Sequence, residues 1–171
     1  TLSSSSAASD VYKRQVHIKA CGQGLKLLDH EEIHVMNIDP SLLEKLNIKE
    51  HEDSIEIGVT TIVPAHLMGS GLGSATTMLG DYDIMTQDKK ANETYHINDL
   101  RFGDIVAVLD HDNHHGPHYL EGAITIGVVV HSDSFTSGHG PGLTVILSSK
   151  TKTIKPFIDK DANIANYLGI E

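Results

Sequence analysis

The chain has 171 residues with 13 Lys and Arg against 23 Asp and Glu, a formal net charge of −10 at pH 7. This length suits one domain with a real core. The acidic surface it implies repels phosphate backbones, which excludes nucleic acid and anionic membrane as main partners. The longest apolar run, residues 122–130, falls far short of the roughly 20 residues that a spanning helix requires.

Residues 1–15, TLSSSSAASDVYKRQ, form a Ser/Ala-rich lead-in without the apolar stretch of a signal peptide, and read as a translated adapter rather than native sequence. Apolar residues at every second position from Val16 to Ala20 then predict a strand that starts abruptly, so residues 16–171 are expected to be a single β-rich domain forming the C-terminal part of a longer protein. Its unpaired edge would favour aggregation of the isolated piece. Cys21 is the single cysteine, which excludes an internal disulfide framework, suits a reducing cytoplasm and is expected to be a small buried residue. Asp39-Pro40 reads as an N-cap with proline at the first helical position, opening a short helix that carries Leu42, Leu43 and Leu46.

Strand signals dominate the remainder. Residues 54–63 place Ile55, Ile57, Val59 and Val63 on one face, residues 104–110 and 142–149 are β-branched runs, and residues 123–133 carry the strongest signal. A second helix is predicted near Asp161, with Ile164, Tyr167 and Leu168 at helical spacing and Gly169 to end it. The predicted class is mainly β (α+β), an antiparallel sheet or barrel-like domain with two short peripheral helices.

Four segments carry chemistry. The run Gly69-Ser70-Gly71-Leu72-Gly73 could turn backbone amides toward an anion, since glycine permits the positive φ that such nests use. It matches neither the dinucleotide fingerprint nor a Walker loop, so no nucleotide is expected, and tight packing is the plainer use of these glycines. In Gly80-Asp81-Tyr82-Asp83, strand alternation would put Asp81 and Asp83 on one face, where they could share a cation or a proton; otherwise they form a solvated acidic edge.

Six of the twelve histidines fall within residues 110–139. They divide between two loops, one at residues 110–117 and one at residues 131–141. If the strands between them pair as a hairpin, the loops are separated by roughly 25 Å, about eight residues at ~3.3 Å each, so one ion cannot use both. The second loop offers His131, Asp133 and His139 as a three-ligand set for zinc, manganese or iron with an open water position. Solvated turn histidines are the alternative. Ser132 between His131 and Asp133 is not a triad, because neighbours on a strand face opposite ways. In the first loop, Asp110, His111 and Asp112 are a secondary candidate cation site, whereas His114, His115 and His118 follow no zinc-binding pattern.

Taken together, Met68-Gly69-Ser70-Gly71-Leu72-Gly73, residues 80–86, Leu100-Arg101-Phe102-Gly103-Asp104, residues 125–131 and Gly138-His139-Gly140-Pro141-Gly142 resemble an uncharacterised family of bacterial and archaeal proteins filed as a domain of unknown function, family 4438. The resemblance covers everything after Gln15 and implies a longer native protein whose N-terminal half is absent, but no activity. Its pattern matches Asp110-His111-Asp112, while His114, His115 and His118 are departures from it. A looser similarity, in β-rich character and in Gly-Asp and His-containing loops, is to the metal-dependent acetamidase/formamidase group, and it names a reaction class.

The expected function is therefore that of a cytoplasmic metal-dependent hydrolase acting on a small polar substrate. His131, Asp133 and His139 would hold the cation, Asp81 or Asp83 would serve as general base or further ligand, and Gly69, Ser70, Gly71 and Gly73 would offer amides to an oxyanion. The alternatives are a non-catalytic small-molecule or metal-binding module, including a homo-oligomer in which these loops meet a second subunit, and a set of motifs that specify turns alone.

Overall fold

A computed structural model describes residues 24–71 and 80–170. The expected strand at 16–20, Cys21, Leu72 and Gly73 lie outside this range. The strands are β1 (Ile33–Val35), β2 (Ile48–His51), β3 (Ser54–Val59), β4 (Thr61–Pro64), β5 (Tyr82–Asp83), β6 (Ile105–Asp112), β7 (His118–His131), β8 (Gly142–Ser149) and β9 (Ile154–Ile158). Three short helices accompany them, α1 (Pro40–Leu43), α2 (Lys89–Thr94) and α3 (Ile164–Leu168). Each is capped by a side chain that accepts from the first-turn amides: Asp39 for α1, Asp88 for α2 and Asn163 for α3. Gly169, at φ 64°, ends α3 in the left-handed conformation that favours glycine.

The protein is mainly β, with two open sheets and no closed barrel among the described residues. One sheet has the order β1-β8-β7-β6-β4, with β5 also paired to β8, and the other the order β2-β3-β9. Both are mixed rather than antiparallel, because β4 runs parallel to β6 and β3 parallel to β9. These two pairings join segments far apart in sequence, which local periodicity does not report. The single strand predicted over 54–63 is for the same reason two strands in two sheets. Its break is at Thr60, whose amide and hydroxyl both donate to the Ile105 carbonyl.

The larger sheet is covered on both faces. One core, including Ile55, Ile57, Ile105, Ile126, Leu147 and Ile154, fills the space toward the smaller sheet. The other, including Val63, Met68, Tyr82, Ile84, Val106 and Leu143, lies beneath the segments around β5. Burial on both sides explains why β6, β7 and β8 read as near-continuous apolar runs. The alternation expected in β7 holds for Ile124, Ile126 and Val128 but not for Val130, which is 47% exposed. The pairing of β7 with β8 shifts between Val129 and His131, and this irregularity turns Val130 outward.

A buried polar junction ties α3 to the start of β6. Asp104 is buried and accepts from the Arg101 amide (2.8 Å), Arg101 Nη2 (3.1 Å) and Asn163 Nδ2 (2.8 Å). Asp104→Ala would leave these donors without their acceptor, and we expect it to cost about 3 kcal/mol in urea denaturation. A loss below about 0.5 kcal/mol, the ordinary range for surface substitutions, would show that the junction contributes nothing.

Candidate metal centre

The second histidine loop folds back onto the β5 segment, and glycines permit the approach. A Cβ on Gly69 would run into the Gly138 carbonyl and Met85, one on Gly140 into the Ile84 carbonyl, and one on Gly142 into the His131 ring and Asp81 Oδ2. Backbone bonds fasten the contact: Ser70 N donates to Gly138 O (2.8 Å) and Ile84 N to Pro141 O (2.9 Å). The end of β7 thus meets the residues just before and within β5.

Four of the expected side chains converge there. His131 Nε2 lies 2.6 Å from Asp81 Oδ2 and 3.2 Å from Asp83 Oδ1. On its other side His131 Nδ1 is 2.9 Å from the Ser132 carbonyl, which can only accept, so Nδ1 carries the proton. A neutral His131 would then point a bare Nε2 at two carboxylates. The Ser132 hydrogen bond is the main cause of a raised His131 pKa, and the charges of Asp81 and Asp83 add to it against the opposing effect of burial. His139 Nδ1 lies 2.7 Å from Asp83 Oδ2, so Asp83, itself buried, stands between two imidazoles. One ligand atom from each of Asp81, Asp83 and His131 lies within 4.8 Å of the others, the spacing of a group able to hold a metal ion.

The expected set His131, Asp133 and His139 is therefore rearranged. Asp133 Oδ1 accepts from Thr86 Oγ1 (2.7 Å) and from the Ser134 amide (2.8 Å), which holds Asp133 at the rim of the depression rather than in the cluster. His139 braces Asp83 and is not one of the three clustered groups. The anion-loop expectation also changes. The Gly69 amide donates to Asp83 O and the Ser70 amide to Gly138 O, so neither is available to an oxyanion. Gly71, at φ 94°, lies against the Asp81 carbonyl, where a Cβ would collide. These glycines set the position of the carboxylates, which is the close-packing use expected of them. A second cavity of about 390 Å³ adjoins the cluster, sharing His131, Ser132 and Asp133 and walled by Leu100, Arg101 and Phe102. No residue of this wall was among the expected site residues, although Leu100, Arg101 and Phe102 belong to one of the motifs behind the family resemblance.

The first histidine loop lies at the opposite end of β7, as the antiparallel pairing of β6 and β7 requires. Asp110, His111 and Asp112 are not brought together there. An irregularity in the pairing between Leu109 and His111, with Asp110 at φ 56°, sends the three side chains to different partners. Asp110 Oδ1 accepts from the Gly122 amide, and buried His111 hydrogen-bonds Thr125 Oγ1 at 3.1 Å. Burial pushes the His111 pKa down to about 4. Asp112 is instead fully buried between His114 and His118.

Comparison with known proteins identifies the family. The family model described as "Domain of unknown function (DUF4438), C-terminal" matches residues 45–168, and its N-terminal counterpart matches residues 3–44, so the likeness is not confined to the C-terminal portion. The chain is similar to the protein in the crystal structure of TM1086, at 49% identity and a TM-score of 0.79. That alignment covers 85% of this chain and 51% of the other, so the chain spans about half the length of that relative. No curated protein matches it. Among the described residues no helix is long and apolar enough to cross a membrane. On the match to both of its parts, the chain belongs to the family of domain of unknown function DUF4438.

Proposed function

We propose that this protein is a cytoplasmic metal-dependent hydrolase of small polar substrates, with Asp81, Asp83 and His131 as the residues that hold a divalent cation. One observation carries the reading: two carboxylates meet a single imidazole nitrogen whose partner nitrogen is fixed by a backbone carbonyl. That is how proteins orient a histidine ligand. Two carboxylates and one imidazole suit zinc, manganese or iron. When bound, such an ion lowers the pKa of its water and so supplies a nucleophile at neutral pH.

The remaining roles follow from what each side chain touches. His139, its Nδ1 held beside Asp83, is the general base, its Nε2 taking a proton. Asp133, held by Thr86 and Ser134 at the rim, meets donors on the substrate. The adjoining cavity takes the rest of the substrate, its apolar part against Leu100 and Phe102. A binding module without turnover is the second reading, favoured by the exposure of the cluster: the His131 and Asp81 side chains are 43% and 39% exposed.

Elemental analysis of the purified protein and of His131→Ala separates the outcomes. His131→Ala is expected to carry about one equivalent of transition metal less than the wild type. A screen of small amides and esters with the loaded protein follows. Metal retained without turnover of any substrate would replace the enzyme by the binding module. Failure to bind zinc, manganese or iron would end the enzyme reading and leave a small-molecule-binding module or a set of turns.

A further inference from the structure

Another cavity, of about 570 Å³, opens where the loop after α2 meets the ends of β3 and β9. Arg101 lines both this cavity and the one beside the metal centre.

Its polar groups divide into those already matched and those left over. The buried Asp104 carboxylate is fully engaged: Oδ2 accepts from the Arg101 amide, and Oδ1 accepts from Arg101 Nη2 (3.1 Å) and Asn163 Nδ2 (2.8 Å). Asp99 Oδ2 faces His96 Nδ1 at 3.5 Å. The hydroxyls of Thr60 and Thr61 donate to the carbonyls of Ile105 and Tyr95. On the cationic side, Arg101 commits only Nη2, to Asp104 and to the Lys160 carbonyl (3.5 Å). Its Nη1 and Nε are left without an acceptor among the described residues. The exposed Lys160 ammonium likewise meets no carboxylate within ion-pair distance among them.

The acidic groups of this cavity are therefore satisfied and the basic ones are not, in a chain whose net charge is −10. A guanidinium held at one end by a buried carboxylate is oriented before any ligand arrives, which lowers the entropic cost of binding. An oxyanion supplies the acceptors that Nη1, Nε and the ammonium lack. Ile158, 57% exposed at the end of β9, adds an apolar surface to the same lining.

We propose that this cavity binds a small oxyanion, a carboxylate or phosphate head on a short apolar body. The head lies against Arg101 and Lys160 and the body against Ile158. The site is separate from the cluster of Asp81, Asp83 and His131 and requires no metal.

The test uses the full chain after chelation, so that no bound cation attracts the anion elsewhere. Backbone amide NMR shifts are followed on titration with isovalerate, with inorganic phosphate and with uncharged isoamyl alcohol. Isovalerate is expected to move the amides of Thr61, Ile158 and Lys160, and the alcohol to bind about tenfold more weakly or less. The tighter of isovalerate and phosphate identifies the head. Lys160→Gln, at an exposed position, should weaken isovalerate about tenfold, and Arg101→Gln by at least as much. Lys155→Gln should have no effect, since Lys155 lines a different cavity. Binding of neither anion, or equal affinity for isovalerate and the alcohol, would overturn the proposal. Equal weakening by Lys155→Gln and Lys160→Gln would also overturn it, reducing the effect to general charge attraction.

Discussion

Gly140→Ala is expected to destabilise the protein by about 3 kcal/mol, whereas Gly142→Ala two residues away should disable the metal centre at a much smaller cost to stability. The added methyl at 140 meets the Ile84 carbonyl, a backbone atom held by the strand contact that Ile84 N makes with Pro141 O. Backbone cannot rotate aside, so the loop must lift from the β5 segment and carry His139 with it. At 142 the methyl meets the His131 ring and Asp81 Oδ2, the ends of two side chains that can swing into solvent. Chemical denaturation and metal titration of both variants separate the effects. Equal loss of stability in the two, or full metal affinity in Gly142→Ala, would refute the assignment of these glycines.

The second large effect is a pair of opposite pH trends at His131. Its folded-state pKa is raised above the ordinary 6.5, chiefly by the Ser132 carbonyl and then by Asp81 and Asp83. In metal-free protein the protonated ring bridges the two carboxylates. That stabilisation is fully present below the unfolded pKa and is lost as pH rises through the folded one. The stability of metal-free wild type minus that of His131→Gln should therefore decline above about pH 6.5. Taking the difference removes the contributions of His34 and His111, whose pKa values are lowered chiefly by burial. Metal affinity runs the other way, because the ion must displace the proton from Nε2. It should fall by about tenfold for each pH unit below the His131 pKa. A metal affinity independent of pH between 5.5 and 8 would exclude Nε2 as a ligand.

Much of the local structure was legible in the residues. Asp39-Pro40 announced α1 through cap chemistry, residues 142–149 coincide with β8, and the separation of the two histidine loops followed from strand rise together with the hairpin pairing of β6 and β7. The likeness to family 4438 was carried by the glycine and histidine motifs, and both family models match. The helix behind Asp88 was missed because six residues carry too little periodicity to register.

Short-range rules are sufficient for caps, turns and alternation, because each depends on atoms a few residues apart. They do not reach the parallel pairings that put β3 and β4 in different sheets, nor the irregularity that turned Val130 outward. Nor do they reach the choice among five acidic and imidazole groups of the second loop and the β5 segment. Asp81, Asp83 and His131 were all visible as candidates. That His131 meets the two aspartates while Asp133 turns to Thr86 depends on which backbone each glycine lets approach, across more than fifty residues of chain. The same holds at the hairpin tip, where a single irregularity withdraws Asp110 and His111 and leaves Asp112 buried between His114 and His118. Residue type is a property of the chain, but the direction in which a side chain points at a strand end is set by packing from distant segments.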